Sequence, residues 1–229
     1  MTTTTTTTTA APDRTQPKLA TLGDATRFFF TKATPRLIIP LLLVAIAGRA
    51  IVGDLGWDDL AVVVVLLALE PLIEWVTHVF ILHLKPRTIA GRPFDLHAAK
   101  KHRHHHRNPH DPDTAFVPLP DLFGLGVIVL GLLALATWGD GGRLLTAIVT
   151  ALAVLLTYEW THYLIHTAYK PKGRYYRYIW RAHRLHHFKN ENYWMGVTNH
   201  AADHILGTFP QKSEVENSKT ARTLGIDVA

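Results

Sequence analysis

The run LAVVVVLLALEPLIEWVTHVFILH, from Leu60 to His83, decides the architecture of this chain. It opens with ten apolar residues, admits acids only at Glu70 and Glu74, and closes on His78 and His83. A helix needs about 20 predominantly apolar residues to cross a bilayer, so Leu60 to Thr77 reads as a span with polar chemistry at its exit. Three other stretches read likewise: Leu37 to Gly53, interrupted by Arg49, then Leu122 to Trp138 and Leu144 to Tyr158. A soluble bundle is the competing reading, and the hydropathy pattern disfavours it. The expected fold is therefore all-α: a four-span transmembrane helical bundle with a cytoplasmic, histidine-rich helical cap.

Charge placement points the same way. Of the 24 Lys and Arg residues, 22 fall before the first span, between the second and third, or after the fourth. The other two connections hold only Arg49 and Arg143, together with Asp54, Asp58, Asp59 and Asp140. Basic residues accumulate on the cytoplasmic side, which places both termini and the histidine-bearing segments there. That side accounts for the net charge of +6, and nucleic acid is not needed as a partner. Residues 1–35, opening with Thr2 to Thr9, read as a disordered tail rather than a signal peptide. Residues 36–210 read as the membrane-embedded domain and residues 211–229 as a flexible tail.

The 229 residues contain no cysteine and 15 histidines. Iron–sulfur clusters, thiolate-ligated haem and cysteine zinc sites are thereby excluded, and any metal must sit on imidazole or carboxylate. Ten of the histidines form four clusters: His78 and His83 (HX4H), His102, His105 and His106 (HX2HH), His162 and His166 (HX3H), and His183, His186 and His187 (HX2HH). At this composition about 0.06 copies of HX2HH arise by chance. Two are present, one in each half. The tetrad Glu159-Trp160-Thr161-His162 also echoes Glu74-Trp75-Val76-Thr77-His78, so each half reads as a helical hairpin with a histidine pair at its exit and a histidine triplet beyond.

On a helix, positions i, i+3 and i+4 share a face, so each triplet is expected to aim three imidazoles one way. His78 and His83 fit less well: five residues of α-helix turn by about 140°, and the pair can meet one site only if the helix bends or frays at its exit. Neutral imidazoles suit iron, zinc, copper or nickel, and ten of them exceed what one ion takes, so two metals are the economical number. A low-complexity reading of His102 to His106 competes locally. It leaves the arrangement repeated at 162–187 unexplained.

With these motifs in hand, the sequence resembles the fatty acid hydroxylase superfamily of integral-membrane di-metal oxygenases over about residues 70–208. The likeness rests on HVFILH (78–83), HRHHH (102–106), HYLIH (162–166) and HRLHH (183–187), extended by Gly196-Val197-Thr198, Asp203 and Gly207-Thr208. The resemblance implies that the ten motif histidines are metal ligands. It implies two iron ions, with zinc an alternative occupant, activating O2 to hydroxylate an unactivated C–H bond of a fatty acyl, sterol-like or carotenoid lipid. Electrons are expected from a separate donor such as a ferredoxin or cytochrome. A lipid desaturase on the same site is the near alternative; a membrane metal transporter or metal-handling protein is the rival from another class, although its histidines should run through the depth of the spans.

Glu74 and Glu159 are expected to accept hydrogen bonds from ligand N–H groups, orienting the imidazoles and raising their basicity. Glu70 lies on the face of Glu74 and His78, where a neutral carboxyl paired with another helix is an equal reading. Trp75 and Trp160 read as interfacial belt residues or cavity lining. His200 is a further candidate ligand; His97, His104, His110 and His204 are expected to stand outside the metal site.

Overall fold

A computed structural model describes residues 19–226. The threonine run lies outside them. The chain begins with α1 (Leu22–Phe29), then α2 (Ala33–Val52) and α3 (Trp57–Val76), which passes into a π-helical turn (Thr77–Leu82). A short hairpin of β1 (Arg87–Ile89) and β2 (Arg92–Phe94) precedes α4 (His97–Arg107). Its two-residue turn puts Ala90 and Gly91 at positive φ, the geometry a tight hairpin requires. A 3-10 turn (Pro112–Ala115), α5 (Leu119–Ala136), α6 (Gly141–Ile165), α7 (Arg174–Phe188) and α8 (Ala201–Ile205) follow, with a last 3-10 turn at Lys212–Glu214.

Among the described residues, four helical stretches are long and apolar enough to cross a membrane: Ala33–Val52, Trp57–Leu82, Pro112–Ala136 and Gly141–Ile165. The chain is a helical integral membrane protein, and one small hairpin is the only sheet among the described residues. The fourth span runs seven residues past the predicted end at Tyr158. Hydropathy sees Glu159, Thr161 and His162 as polar, yet all three are buried against other elements and extend the helix inside the bundle. Helix α6 is the centre of the bundle, packing against both α2 and α3, whereas α5 packs mainly on α6 and turns residues such as Val127 and Leu135, each about three-quarters exposed, outward.

Arg49, which interrupts the first span in the sequence, holds the end of the bundle remote from the histidines. Its guanidinium donates to both carboxylate oxygens of Asp59 on α3, at 3.3 and 2.9 Å, and to Thr146 Oγ1 on α6 at 2.8 Å. Asp59 also accepts from Thr146 and from the Gly56 amide. Removing one partner of such a buried pair leaves the other charge uncompensated, at a cost of about 3–5 kcal/mol. Asp59→Ala should therefore lower the thermal midpoint in detergent sharply, while Asp58→Ala, whose side chain is exposed, should leave it unchanged.

Of the two segments expected to be tails, the described residues 19–35 and 211–226 pack against the rest of the fold. Within residues 1–35, α1 buries Ala25 and Phe29 with Leu19 against Tyr163 and Leu164 of α6, and the Tyr163 hydroxyl donates to the Ala25 carbonyl at 2.9 Å. Phe29 also meets Trp160 edge-on. Within residues 211–229, Val215, Ala221 and Leu224 are buried and the described part of the segment lies across α4 and α7. Neither segment has a long apolar run. Their burial comes from a few side chains fitted to a surface that only the folded cap creates.

Candidate metal centre

Helix α3 reaches its exit as an α-helix and then widens. The amide of His83 donates to the carbonyl of His78 at 3.0 Å, an i→i+5 bond, so residues five apart come to one side of the helix. This resolves the awkward HX4H spacing: the rings of His78 and His83 lie 4.8 Å apart. His162 and His166, at HX3H spacing, need no such adjustment at the end of α6.

All ten motif histidines converge, in two groups of five. His78, His83, His102, His106 and His186 form one, and His105, His162, His166, His183 and His187 the other; within each, the candidate donor atoms lie within 4.8 Å of one another. The triplets do not act as units, contrary to the expectation of three imidazoles aimed one way. On α4 the i, i+4 pair His102 and His106 joins the first group while His105 turns to the second. On α7 the pair His183 and His187 joins the second while His186 crosses to the first. Adjacent helical residues point about 100° apart, which separates i+3 from i+4 when two sites lie side by side. The groups touch: the rings of His106 and His187 stack at 4.1 Å.

Six of the ten outer nitrogens are held by hydrogen bonds, five of them to the backbone. His78, His106, His162, His166 and His186 direct Nδ1 to the carbonyls of Met195, Ala221, Ala115, Pro109 and Tyr193, and His105 directs Nδ1 to Thr114 Oγ1. Only N–H can serve a carbonyl, and the Thr114 hydroxyl already donates to the Asp111 carbonyl, so these rings carry their proton on Nδ1 and present a bare Nε2 lone pair inward. Facing pairs then follow, Nε2 to Nε2: His106 and His186 at 3.2 Å, with the partly analogous His78–His102 and His166–His183 contacts at 3.0 Å. Two buried lone pairs at this distance repel unless a cation lies between them. Burial opposes a proton in that role: it pushes His106 down to about 3 and holds His102, His105, His166, His183, His186 and His187 well below the ordinary histidine value. Neighbouring donors on one metal with bonds of about 2.1 Å stand about 3.0–3.4 Å apart, matching these contacts. The residues present thus fit a metal ion in each group. The buried, unpartnered Nε2 atoms of His83, His105 and His162 fit it too.

Among the described residues, Glu74 and Glu159 hydrogen-bond to none of the ten imidazoles. Their expected place as acceptors is taken by backbone carbonyls, and the carboxylates act one step further out. Glu74 accepts from the amides of Val197 and Thr198 and from Thr198 Oγ1, bracing the loop whose Met195 carbonyl holds His78. Glu159 accepts from the Val117 amide at 2.9 Å, two residues beyond the Ala115 carbonyl that holds His162. Equivalent positions in the two halves do equivalent work. Glu70 shares Thr198 with Glu74.

His200 lies outside both groups. Its Nδ1 meets Asp203 Oδ2 at 2.8 Å, and Asp203 also takes the amides of Met195 and Gly196 and the Thr208 hydroxyl. Burial alone would raise the Asp203 carboxyl, but these four hydrogen bonds outweigh it and hold the group below its ordinary value. A Cβ on Gly196 would fall 2.2 Å from the Asn199 carbonyl oxygen, so only glycine allows this tight loop. Trp75 donates to Thr208 at 2.9 Å and so ties α3 to the same loop. His97 pairs with Asp121, His104 is exposed beside Asn108, His110 stacks on Phe188 and His204 meets the Tyr178 hydroxyl.

The family model described as fatty acid hydroxylase matches residues 63–208, from the second span through the Asp203 loop. The chain belongs to the fatty acid hydroxylase family. It is 29% identical over 190 residues to the fatty acid 2-hydroxylase of Homo sapiens, covering 82% of this chain and 44% of that protein. To the dihydroceramide fatty acyl 2-hydroxylase of Arabidopsis thaliana it is 26% identical over 191 residues, covering 78% of this chain and 73% of the relative. The chain thus spans less than half the length of the human relative. Among solved structures it is similar to full-length Scs7p, in which the hydroxylase domain is visible, with a TM-score of 0.66, 19% identity, and coverage of 81% of this chain and 68% of that one. That likeness concerns the fold.

Proposed function

We propose that this fatty acid hydroxylase family member hydroxylates an unactivated C–H bond of a lipid, a fatty acyl chain first among the substrates considered, at a di-iron centre held by the ten histidines. The observation that carries the reading is the crossed pair of five-imidazole groups at the ends of α3 and α6. Iron in these groups would supply O2 activation and abstraction of a substrate hydrogen. The chain's own residues hold five of the ten imidazoles in one tautomer through backbone carbonyls, and keep charged acids out of both donor sets. The apolar spans give a lipid chain access from the bilayer.

Electrons come from a separate carrier. Helix α7 turns its histidines toward the ends of α3 and α6, so its other side faces away from the bundle, and there Arg174, Arg177 and Arg181 are exposed. No acid occurs between His166 and Asn190, so the surface suits an acidic ferredoxin-type or cytochrome partner. The basic residues also support a cytoplasmic position for this end. Reporters fused after Pro118 and after Lys212 should therefore report the cytoplasm and a reporter after Asp140 the opposite side; a non-cytoplasmic signal at Pro118 would overturn the orientation.

The function is tested by supplying the reconstituted, iron-loaded protein with lipids, a reduced carrier and isotopically labelled O2. The expected product is a lipid carrying one labelled oxygen atom, formed only with the carrier and absent with His186→Ala. A lipid lacking two hydrogens and carrying no label would replace hydroxylation by the desaturase reading, and unchanged lipids across acyl, sterol and carotenoid classes would overturn both.

A further inference from the structure

We infer that the segment Ser218–Ile226 is a clamp on one of the two histidine groups, with Arg222 as a positioning residue. The inference rests on the di-metal reading. Helix α4 ends at Arg107, and the carbonyls of a last helical turn lack partners within the helix. Those of His104 and His105 are taken by the Asn108 amide. Those of His106 and Arg107 are taken by the Arg222 guanidinium, which donates to His106 at 2.7 Å through Nε and to Arg107 through Nη2. A cation at a helix C-terminus is also favoured by the aligned peptide dipoles. The residue before it, Ala221, offers its carbonyl to His106 Nδ1 at 2.8 Å. One dipeptide therefore fixes both the backbone and the ring of His106, and with the ring the direction of its Nε2.

The segment reaches the second helix of the same group as well. The Ser218 amide donates to the Lys189 carbonyl at 2.7 Å and Thr220 donates to Glu191, just beyond the end of α7 that carries His186. Arg222 lies over the Phe188 ring at 5.6 Å, and Arg107 in turn donates to the Ile226 carbonyl at 2.8 Å. Leu224 is buried, so the segment is seated rather than draped. Among the described residues, none of its hydrogen bonds reaches His105, His162, His166, His183 or His187; their outer nitrogens, where partnered, use Thr114, Ala115 and Pro109. The clamp thus acts on the group of His78, His83, His102, His106 and His186, and leaves the other to its own loops.

Partners that orient a ligating histidine contribute about 10–100-fold to metal affinity. In Arg222→Ala, one of the two ions should leave to a chelator about 10–100-fold faster than in the unaltered protein, and the other at its original rate. Arg222→Lys keeps the charge but cannot span both carbonyls, and should release that ion at an intermediate rate. Ion content, release kinetics and the visible spectrum of the cobalt-loaded protein are read beside circular dichroism. Selective loss with intact helicity supports the clamp. Two ions released at unaltered rates, or both accelerated equally in Arg222→Lys, would overturn it while the di-metal reading stands. An unaltered protein carrying fewer than two ions would overturn both. Should Arg222→Ala fail to fold, the lysine variant and a chain ending at Asn217 decide between the same outcomes.

Discussion

His186→Ala should strip the ion held with His78, His83, His102 and His106 and spare the other, and His105→Ala should do the reverse. The expected content is one ion per chain in each case, with lipid oxidation abolished in both, because an incomplete donor set changes coordination and redox behaviour together. The informative variants are doubles. His102→Ala with His186→Ala removes two donors from one group and should still leave one ion, although the residues lie on different helices and in different halves of the sequence. His102→Ala with His105→Ala removes one donor from each group and should leave none, although the residues are three apart on one helix. If each triplet served a single metal, the pattern would invert. Elemental analysis of the two doubles decides it. His104→Ala, at an exposed position beside Asn108, should keep both ions and most turnover, and a loss there equal to that of His105→Ala would sink the assignment.

That crossing marks where the sequence stops being readable. The ten histidines and four spans were legible because composition and hydropathy act locally: imidazoles are rare enough for two HX2HH runs to stand out, and lipid exposure demands long apolar stretches. The division of each triplet was not, since i, i+3 and i+4 are equivalent neighbours until two sites are placed side by side. The π-turn hides in the same way. HX4H is unhelpful in an α-helix, and the need for His78 and His83 to meet is what the i→i+5 bond satisfies. The repeated Glu-Trp signal did locate Glu74 and Glu159, but spacing along a helix says nothing about which loop a carboxylate will brace. Main-chain acceptors such as the Ala221 and Met195 carbonyls leave no mark in a sequence at all, which is why the segment carrying Arg222 reads as a tail.

Lowering the pH of the metal-free protein from 7 to 5.5 should unfold its histidine cap while the four spans remain helical in detergent. Eight of the ten histidines lie outside the membrane-spanning stretches: His83, His102, His105, His106, His166, His183, His186 and His187. Burial first, and then the proximity of other imidazoles, holds these rings below their ordinary value. In the unfolded chain each takes a proton near pH 6.5, whereas the folded cap refuses it. Unfolding therefore binds protons: stability is full above pH 6.5 and is lost as the pH falls from there toward the folded values. Each group contributes about 1.4 kcal/mol per pH unit in that window, so eight groups one unit below it cost on the order of ten kcal/mol, as much as a whole domain commonly has. Bound metal reverses the trend, because a ligated nitrogen has no lone pair for a proton and the acid limit moves down with metal affinity. Amide exchange in α4 and α7, followed at pH 7 and 5.5 with and without metal, measures this directly. Equal protection of those helices in the metal-free protein at both pH values would mean that the ten rings are not packed neutral against one another, and the lone-pair argument for two cations would fall with it.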